Sequence, residues 1–467
     1  MLRGIAINSV LIIAILLQST EAQTPRTVIS DAEIRNILAE RVDKYRQSVG
    51  IVVGVIEPRG RRVIAYGNRA SGDSRPVDGD TVFEIGSITK IFTSLLLADM
   101  VERKEVGLLD PVAKFLPPGT RVPELDGEEI TLRDLATHTS GLPRMPLNVD
   151  SMDPLNPYAD YSVGKLYEFL GQYQLQRAVG ARFEYSNLGE ALLGMALTHR
   201  AGTNYESLVQ TRISVPLGMK STGVSLTPAM KQHLASGHAY GLEPTPNWDM
   251  ASLEAAGGLR STANDLLSFL SGHLGFIQTP LAPAMKALTD VRRTVSGRSV
   301  TLGWFIENRD GVNVIYHSGG TGGYLSFIGY APSTRTGVVV LSNSGLGAGI
   351  DDIGFHLLSP GSPLLEEKDL TPPKARKEIP LDGSLLERYA GRYEFPSGQL
   401  ATVTSVGGHL HLQGVGDAKI VFYAESERSF FAKLIDAQMT FLTNAQGRVT
   451  GLNYSRSGES LTVRRID

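Results

Sequence analysis

The feature that most constrains this chain is the placement of its β-branched runs, which lie at both ends of a long helical stretch. Gly50 to Ile56 and Arg62 to Tyr66 flank Pro58-Arg59-Gly60 and predict a hairpin. Comparable runs return at Thr301 to Glu307, Val312 to Tyr316, Tyr324 to Tyr330 and Gly337 to Leu341, with Asp310-Gly311 as a tight hairpin signal between the first two. From Gly107 to about Phe276 the pattern is mostly helical, broken by Pro and Gly loops. Strands at both ends with helices between them predict one antiparallel sheet assembled from both ends, flanked by helices and carrying an inserted helical region. This is an α/β arrangement.

A first helix is expected from the capping box Ser30-Asp31-Ala32-Glu33, with Ile34, Ile37, Leu38 and Val42 following at helical intervals to about Arg46. Ser359 to Gly383 holds Pro360, Pro363, Pro372, Pro373 and Pro380 among charges that include Lys374, Arg376 and Lys377, and reads as a solvated linker. Beyond it, about eight short strand-like runs recur roughly every ten residues, among them Leu400 to Val406, His409 to Gln413, Ile420 to Ala424, Met439 to Thr443 and Leu461 to Ile466. That spacing predicts an antiparallel barrel or sandwich. His409 and His411 would share one strand face, but with no third ligand nearby they read as a surface pair, and no metal is expected.

The first residues carry Arg3, an apolar run from Val10 to Leu17 and small residues before Gln23, the pattern of a secretory leader cleaved after Ala22. The apolar run is too short, and too interrupted by Asn8 and Ser9, for a stable membrane span. The expected divisions are thus a leader at 1–22, a globular region at 23–358, a linker at 359–383 and a barrel-like domain at 384–467. An exported protein, periplasmic or secreted, follows. With no cysteine in the chain, disulfides and a thiol nucleophile are excluded. A net charge of -3 provides no electrostatic footprint for nucleic acid. Nothing in the sequence sets the oligomeric state.

Chemistry is most concentrated in Phe83-Glu84-Ile85-Gly86-Ser87-Ile88-Thr89-Lys90, which leads into Ile91, Phe92, Leu95 and Leu96 at helical spacing. Side chains three apart on a helix are neighbours, so the Lys90 amine can reach the Ser87 hydroxyl as base to nucleophile. The helix mouth adds N–H groups and a positive dipole end that favour an oxyanion. The pattern recurs at Ser162-Val163-Gly164-Lys165, where glycine interrupts the turn and no apolar helix follows. Two further stretches fit a cleft. Phe183-Glu184-Tyr185-Ser186-Asn187 opens a helix and can present Tyr185 and Asn187. His317-Ser318-Gly319-Gly320-Thr321-Gly322-Gly323 follows a strand, and its four glycines indicate close backbone approach, most naturally to a substrate.

Ser-x-x-Lys, then Tyr-x-Asn, then a basic residue with Ser-Gly on a strand resemble, in that order, the serine β-lactamase and penicillin-binding protein superfamily. The Tyr-x-Asn form is similar to its class C β-lactamase and D-alanyl-D-alanine carboxypeptidase branch and to related esterases. Leu132 to Pro143, Pro216 to Met219 and Ala255 to Asp265 also look family-like, so the resemblance covers roughly Ser30 to Leu358. The tail resembles the lipocalin-like domain of some relatives. The resemblance implies an acyl-enzyme hydrolase without metal or organic cofactor, acting on a small-molecule or peptide amide: a β-lactam or a D-amino-acid peptide. A carboxylesterase using the same site, or a penicillin sensor with little turnover, is the alternative. Ser87 is then the nucleophile, Lys90 helps remove its proton, and Tyr185 is general base in acylation and proton relay to the leaving group. Asn187 contacts the substrate amide, His317, Ser318, Gly319 and Gly320 line the substrate site, and the N–H groups of Ser87 and Gly320 form the oxyanion hole. A lysine titrates near 10.4 in water, so a neutral Lys90 at pH 7 requires about 4 kcal/mol of environmental bias. His317 stands where relatives carry lysine, and as a partly charged imidazole it would bind a substrate carboxylate only weakly near neutrality.

Overall fold

In the computed structural model the described residues are 29–467 except 152, 154, 240, 296–297, 346–348, 371–375, 415–418 and 457–458. The expected leader lies outside them. The capping box forms as predicted: the Ser30 side chain accepts from Glu33 N, and the Glu33 carboxylate from Ser30 N, at the start of helix α1, Asp31–Ala39. The hairpin follows as β1, Gly50–Glu57, and β2, Gly60–Gly67. A short strand β3, Phe83–Glu84, leads through the turn Gly86–Ile88 into helix α2, Thr89–Glu102. Two small pairs are built later, β4, Gly237–His238, on β5, Pro244–Thr245, and β3 on β6, Arg260–Ser261. The chain then makes β7, Arg293–Val295, β8, Arg298–Val300, β9, Phe305–Arg309, β10, Val312–Gly320, β11, Leu325–Ala331, and β12, Thr336–Ser342.

Among the described residues the main sheet has eight strands in the order β2-β1-β12-β11-β10-β9-β8-β7. β1 joins β12 antiparallel, with Val53 opposite Val340, so the two ends of the region close one sheet as the sequence predicts. Two elements differ from expectation. The run from Thr301 becomes a strand only at Phe305, because Gly303 takes a left-handed φ of 73° and turns the chain. The hairpin of β7 and β8 was not anticipated, since three-residue strands carry too little periodicity to register.

Helices cover both sheet faces, which is why β1 reads as a continuous apolar run. Ile51, Val53 and Val55 pack with α1 and the helix Asp351–Leu358, while Val52 and Ile56 face the larger core around α2. Residues Thr89 to Met100 of α2 are all buried, as a helix apolar on every side must be. The tail forms a closed antiparallel barrel of eight strands among the described residues: β13, Gly391–Glu394, β14, Leu400–Val406, β15, His409–Gly414, β16, Ile420–Ala424, β17, Ser429–Ala432, β18, Ala437–Thr443, β19, Val449–Arg456, and β20, Glu459–Arg465. Closure leaves no free strand edge. The barrel has its own core around Tyr393, Phe422, Phe430 and Phe441, and His409 on its surface pairs with Glu378 at 2.9 Å.

Candidate active site

The chain reaches Ser87 through a residue whose backbone only glycine adopts readily. Gly86 has a φ of 48°, and a Cβ on it would lie 2.6 Å from Gly320 N. Opposite, a Cβ on Gly319 would lie 2.1 Å from Ile85 O and 3.0 Å from Ser87 N. These two glycines let β10 run directly against the serine turn, and Ser326 on β11 secures it by donating to Ile85 O at 2.8 Å. Ser87 sits in the turn, and Lys90 lies one turn on, inside α2. The Lys90 amine donates to Ser87 Oγ at 3.0 Å and to Ala256 O at 2.6 Å. The neighbouring Thr93 donates to Ala255 O at 2.7 Å, so the stretch 255–259 is fastened along α2.

Burial sets the electrostatics of this pair. Desolvation lowers the Lys90 pKa to about 7, helped by Arg144 and opposed by the carboxylate of Glu190. Glu190 is itself fully buried, and desolvation raises it to about 8 against the pull of Lys90. Among the described residues neither Glu190 oxygen has a hydrogen-bond partner, and His138 Nε2 lies 3.9 Å away. His138 Nδ1 accepts from Ser186 N at 3.2 Å, which puts the imidazole proton on Nε2, toward Glu190. Burial, with the positive charge of Lys90 second, keeps His138 well below its ordinary value and neutral. Lys90, Glu190 and His138 thus form a buried proton inventory beneath the serine.

Tyr185 closes the site from the other side. Its ring lies 4.9 Å from the Lys90 amine and 5.0 Å from the Arg144 guanidinium. Desolvation nonetheless drives the phenol well above its ordinary value. A phenolate is therefore disfavoured, and the expectation of Tyr185 as general base loses its electrostatic support relative to Lys90. The segment is held by Ser186, the N-cap of the helix Asn187–Ala201, whose hydroxyl accepts from Gly189 N at 2.8 Å and donates to Pro143 O at 2.7 Å. Asn187 donates from its backbone to Arg144 O at 2.9 Å and from its side chain to Met145 Sδ at 3.2 Å.

The third motif departs from expectation at two residues. His317 is only 2 % exposed, donates from Nδ1 to Ser318 O at 2.7 Å, and is lowered to about 3 by desolvation and by Lys90. It is a neutral, packed residue, so the expected imidazolium contact to a substrate carboxylate is corrected. Ser318 points to the opposite sheet face and donates to Asp351 Oδ2 at 2.6 Å. Gly319 serves the approach to Ile85, and Gly322 lets Trp248 close in, since a Cβ there would meet Trp248 Nε1 at 2.6 Å. Much of the glycine run therefore accommodates the protein's own segments, and Gly320 is the residue of the four predicted in this motif that lines the cleft. The repeat at Ser162 is an N-cap, its hydroxyl accepting from Lys165 N at 3.2 Å.

The cleft encloses about 180 Å³, with Ser87, Asn187, Gly320, Arg144, Tyr158 and Trp248 in its lining. Sequence reasoning missed Arg144, an exposed cation at the rim, one residue beyond the family-like stretch ending at Pro143. It also missed Trp248, which no motif marks. The buried Glu84–Arg260 ion pair, 3.2 Å apart, pins it: Glu84 accepts from Trp248 N at 2.9 Å and Arg260 donates to Trp248 O at 2.7 Å.

Comparison with known proteins bears on this geometry. The Beta-lactamase family profile matches residues 34–358, and a profile described as Domain of unknown function (DUF3471) matches residues 375–465. The D-alanyl-D-alanine-carboxypeptidase/endopeptidase AmpH of Escherichia coli K12 is 30% identical over 324 residues, 64% of this chain and 82% of AmpH. Penicillin-binding protein 4* of Bacillus subtilis is 25% identical over 430 residues, 86% of this chain and 91% of its own. Among solved structures, the class C beta lactamase from Rhodobacter sphaeroides superposes with a TM-score of 0.58 at 27% identity, covering 67% of this chain and 94% of that one.

Proposed function

The chain belongs to the Beta-lactamase family and is a serine hydrolase of that family, and on this premise we propose that Ser87 is its acylated nucleophile, with Lys90 as the base. The observation that carries the assignment is the 3.0 Å hydrogen bond between Lys90 Nζ and Ser87 Oγ, made by a lysine whose pKa burial lowers to about 7. Near neutrality a large share of Lys90 is free amine, poised for general base catalysis. As Ser87 Oγ bonds to the substrate carbonyl carbon, its proton passes to Lys90 Nζ. The carbonyl oxygen becomes an oxyanion, accepted by the N–H groups of Ser87 and Gly320. Collapse breaks the bond to the leaving group, which takes a proton from the neutral Tyr185 hydroxyl while Tyr185 is reprotonated from Lys90. Water then repeats the sequence on the acyl ester and frees Ser87. Asn187, in the cleft wall, is placed to contact the substrate amide.

The substrate class we favour is an amide carrying a carboxylate, either a D-amino-acid peptide or a β-lactam, met by an exported enzyme. Support comes from Arg144, a permanent cation at the cleft rim, which can take the carboxylate role expected of His317. The neutral His317 favours, as second reading, esters without a carboxylate. Incubation with a fluorescent penicillin and with a nitrophenyl ester, following both label retention and product release, separates the two and also exposes a slow-turnover penicillin binder. Mass spectrometry of the quenched adduct should place the added mass on the peptide holding Ser87. An adduct on Ser162 would sink the assignment.

A further inference from the structure

The serine cleft adjoins a second cavity, also about 180 Å³, with Tyr158, Trp248 and Thr321 lining both. The indole and the phenol ring meet edge to face, with centroids 5.3 Å apart, and Trp248 Nε1 donates to Leu155 O at 2.9 Å. Asn156 and Asp249 bond each other reciprocally, at 2.8 Å and 3.0 Å, so the two segments flanking this partition are held as one wall. The opposite wall is the outside of the barrel. On β16 the side chain of Phe422 fills the barrel core, whereas Val421 and Tyr423 line the cavity with Ile420, Leu434 and Ile435. A third cavity, of about 290 Å³ at the barrel, shares Ile420 and Ile435 with the second.

The charges around the second cavity are already paired. Lys433 donates to Glu378 at 2.8 Å and lies 3.8 Å over the Tyr423 ring, and Lys419 forms an ion pair with Asp150 that ties the barrel to the loop beside the cleft. What remains for an occupant is mainly apolar surface, with the Thr321 hydroxyl as a polar atom in the wall. A cavity of about 150 Å³ lined by apolar side chains takes up benzene, so this one has room for a group of that size.

We propose that the barrel and the hydrolase region together build a subsite for the apolar part of the acyl group carried by Ser87, an aryl or medium-length alkyl chain. The inference rests on the reading of Ser87 as nucleophile and deepens it by naming the acyl preference. Direction follows from the proton path. The leaving group departs on the side of Tyr185, its proton source, and Tyr185 lines neither cavity. The acyl substituent then extends the other way, past Trp248 and Thr321. In this arrangement the barrel walls the specificity site.

The test uses the full chain and p-nitrophenyl esters from acetate through butyrate and hexanoate to phenylacetate. Each buried methylene contributes about fourfold, so kcat/KM should rise at least tenfold from acetate to hexanoate. Val421→Trp, which fills the cavity from the barrel side, should move the optimum to shorter acyl groups, and Tyr423→Ala, which enlarges it, to longer ones. Misfolding cannot produce opposite shifts. A flat acyl series in the parent, or an unchanged hexanoate-to-acetate ratio in both variants, overturns the subsite while leaving the nucleophile in place. Failure of a fluorophosphonate to label Ser87 overturns the serine reading, and the subsite with it.

Discussion

Replacing Lys90 with methionine separates the stability cost of the site from its chemistry. Burial lowers the Lys90 pKa from its ordinary 10.5 to about 7. The unfolded chain therefore holds the lysine proton to a higher pH than the folded chain does. Folding is penalised increasingly as pH falls from 10.5 to about 7, and by a constant amount below that. At pH 7 the penalty is about 4 kcal/mol, at roughly 1.4 kcal/mol per pH unit separating the two values. Methionine fills a similar volume without charge, but it leaves Ala256 O without its donor, which costs about 1–2 kcal/mol. Lys90→Met should therefore stabilise the protein by about 2–3 kcal/mol at pH 7 while abolishing turnover, the trade-off expected of an active-site charge. At pH 9 the penalty has fallen to about 2 kcal/mol and the gain should vanish. Glu190, deprived of the cation that draws its pKa down, erodes the gain further on the alkaline side. Urea melts of parent and variant at both pH values measure the effect. Destabilisation at pH 7, or a gain that does not vary with pH, would refute the picture of a buried amine held against its preference.

Four further predictions address the site. Because neutral Lys90 is the reactive form, kcat/KM should rise with pH through about 7; a profile that stays flat from about pH 5 to 9 would exclude the free amine as the base. Arg144→Gln should lower kcat/KM about ten- to a hundredfold on carboxylate substrates and spare neutral esters, as loss of a charged hydrogen bond implies. With His317 neutral throughout, matched acidic and neutral substrates should keep parallel pH profiles between pH 5 and 8 in the parent, and divergence there would restore a charge role for the imidazole. Gly319→Ala places a Cβ 2.1 Å from Ile85 O, so melting and turnover should fall together, the first by about 1–3 kcal/mol or more; a variant as stable and active as the parent would contradict the close approach of β10 to the serine turn.

The legible parts of the fold were those written in local periodicity. The Ser30 capping box, the hairpin around Pro58 and the regular runs after the linker each predict an element from a few adjacent residues, and each forms. The same holds for Ser87 and Lys90, because a spacing of three on a helix is a local statement about distance. Tyr185 and Asn187 were legible as residues at a helix mouth, which the Ser186 cap explains. Their charge states were not, because burial decides them and burial belongs to the assembled core. A histidine in a basic position of a motif reads as a potential cation, yet desolvation by burial, with the charge of Lys90 second, keeps the His317 imidazole neutral.

The less legible residues share a physical reason: each acts through a partner far away in sequence. Arg144 reaches the cleft because its carbonyl anchors Asn187, and Trp248 because Glu84 and Arg260 clamp its backbone from two other strands. Val421 and Tyr423 go further, since on a strand of alternating pattern an outward apolar residue of a barrel looks like a solvent-exposed one. Only the contact of the barrel with the loop holding Asp150 and Tyr158 turns that face into a wall of the cleft. The proposed nucleophile and its base are thus set within one turn of helix, whereas the proposed acyl subsite is shaped where two hydrophobic cores meet. Substitutions at Val421 or Tyr423 can consequently retune specificity without disturbing the proton inventory beneath Ser87, because no residue of that inventory lines the cavity they shape.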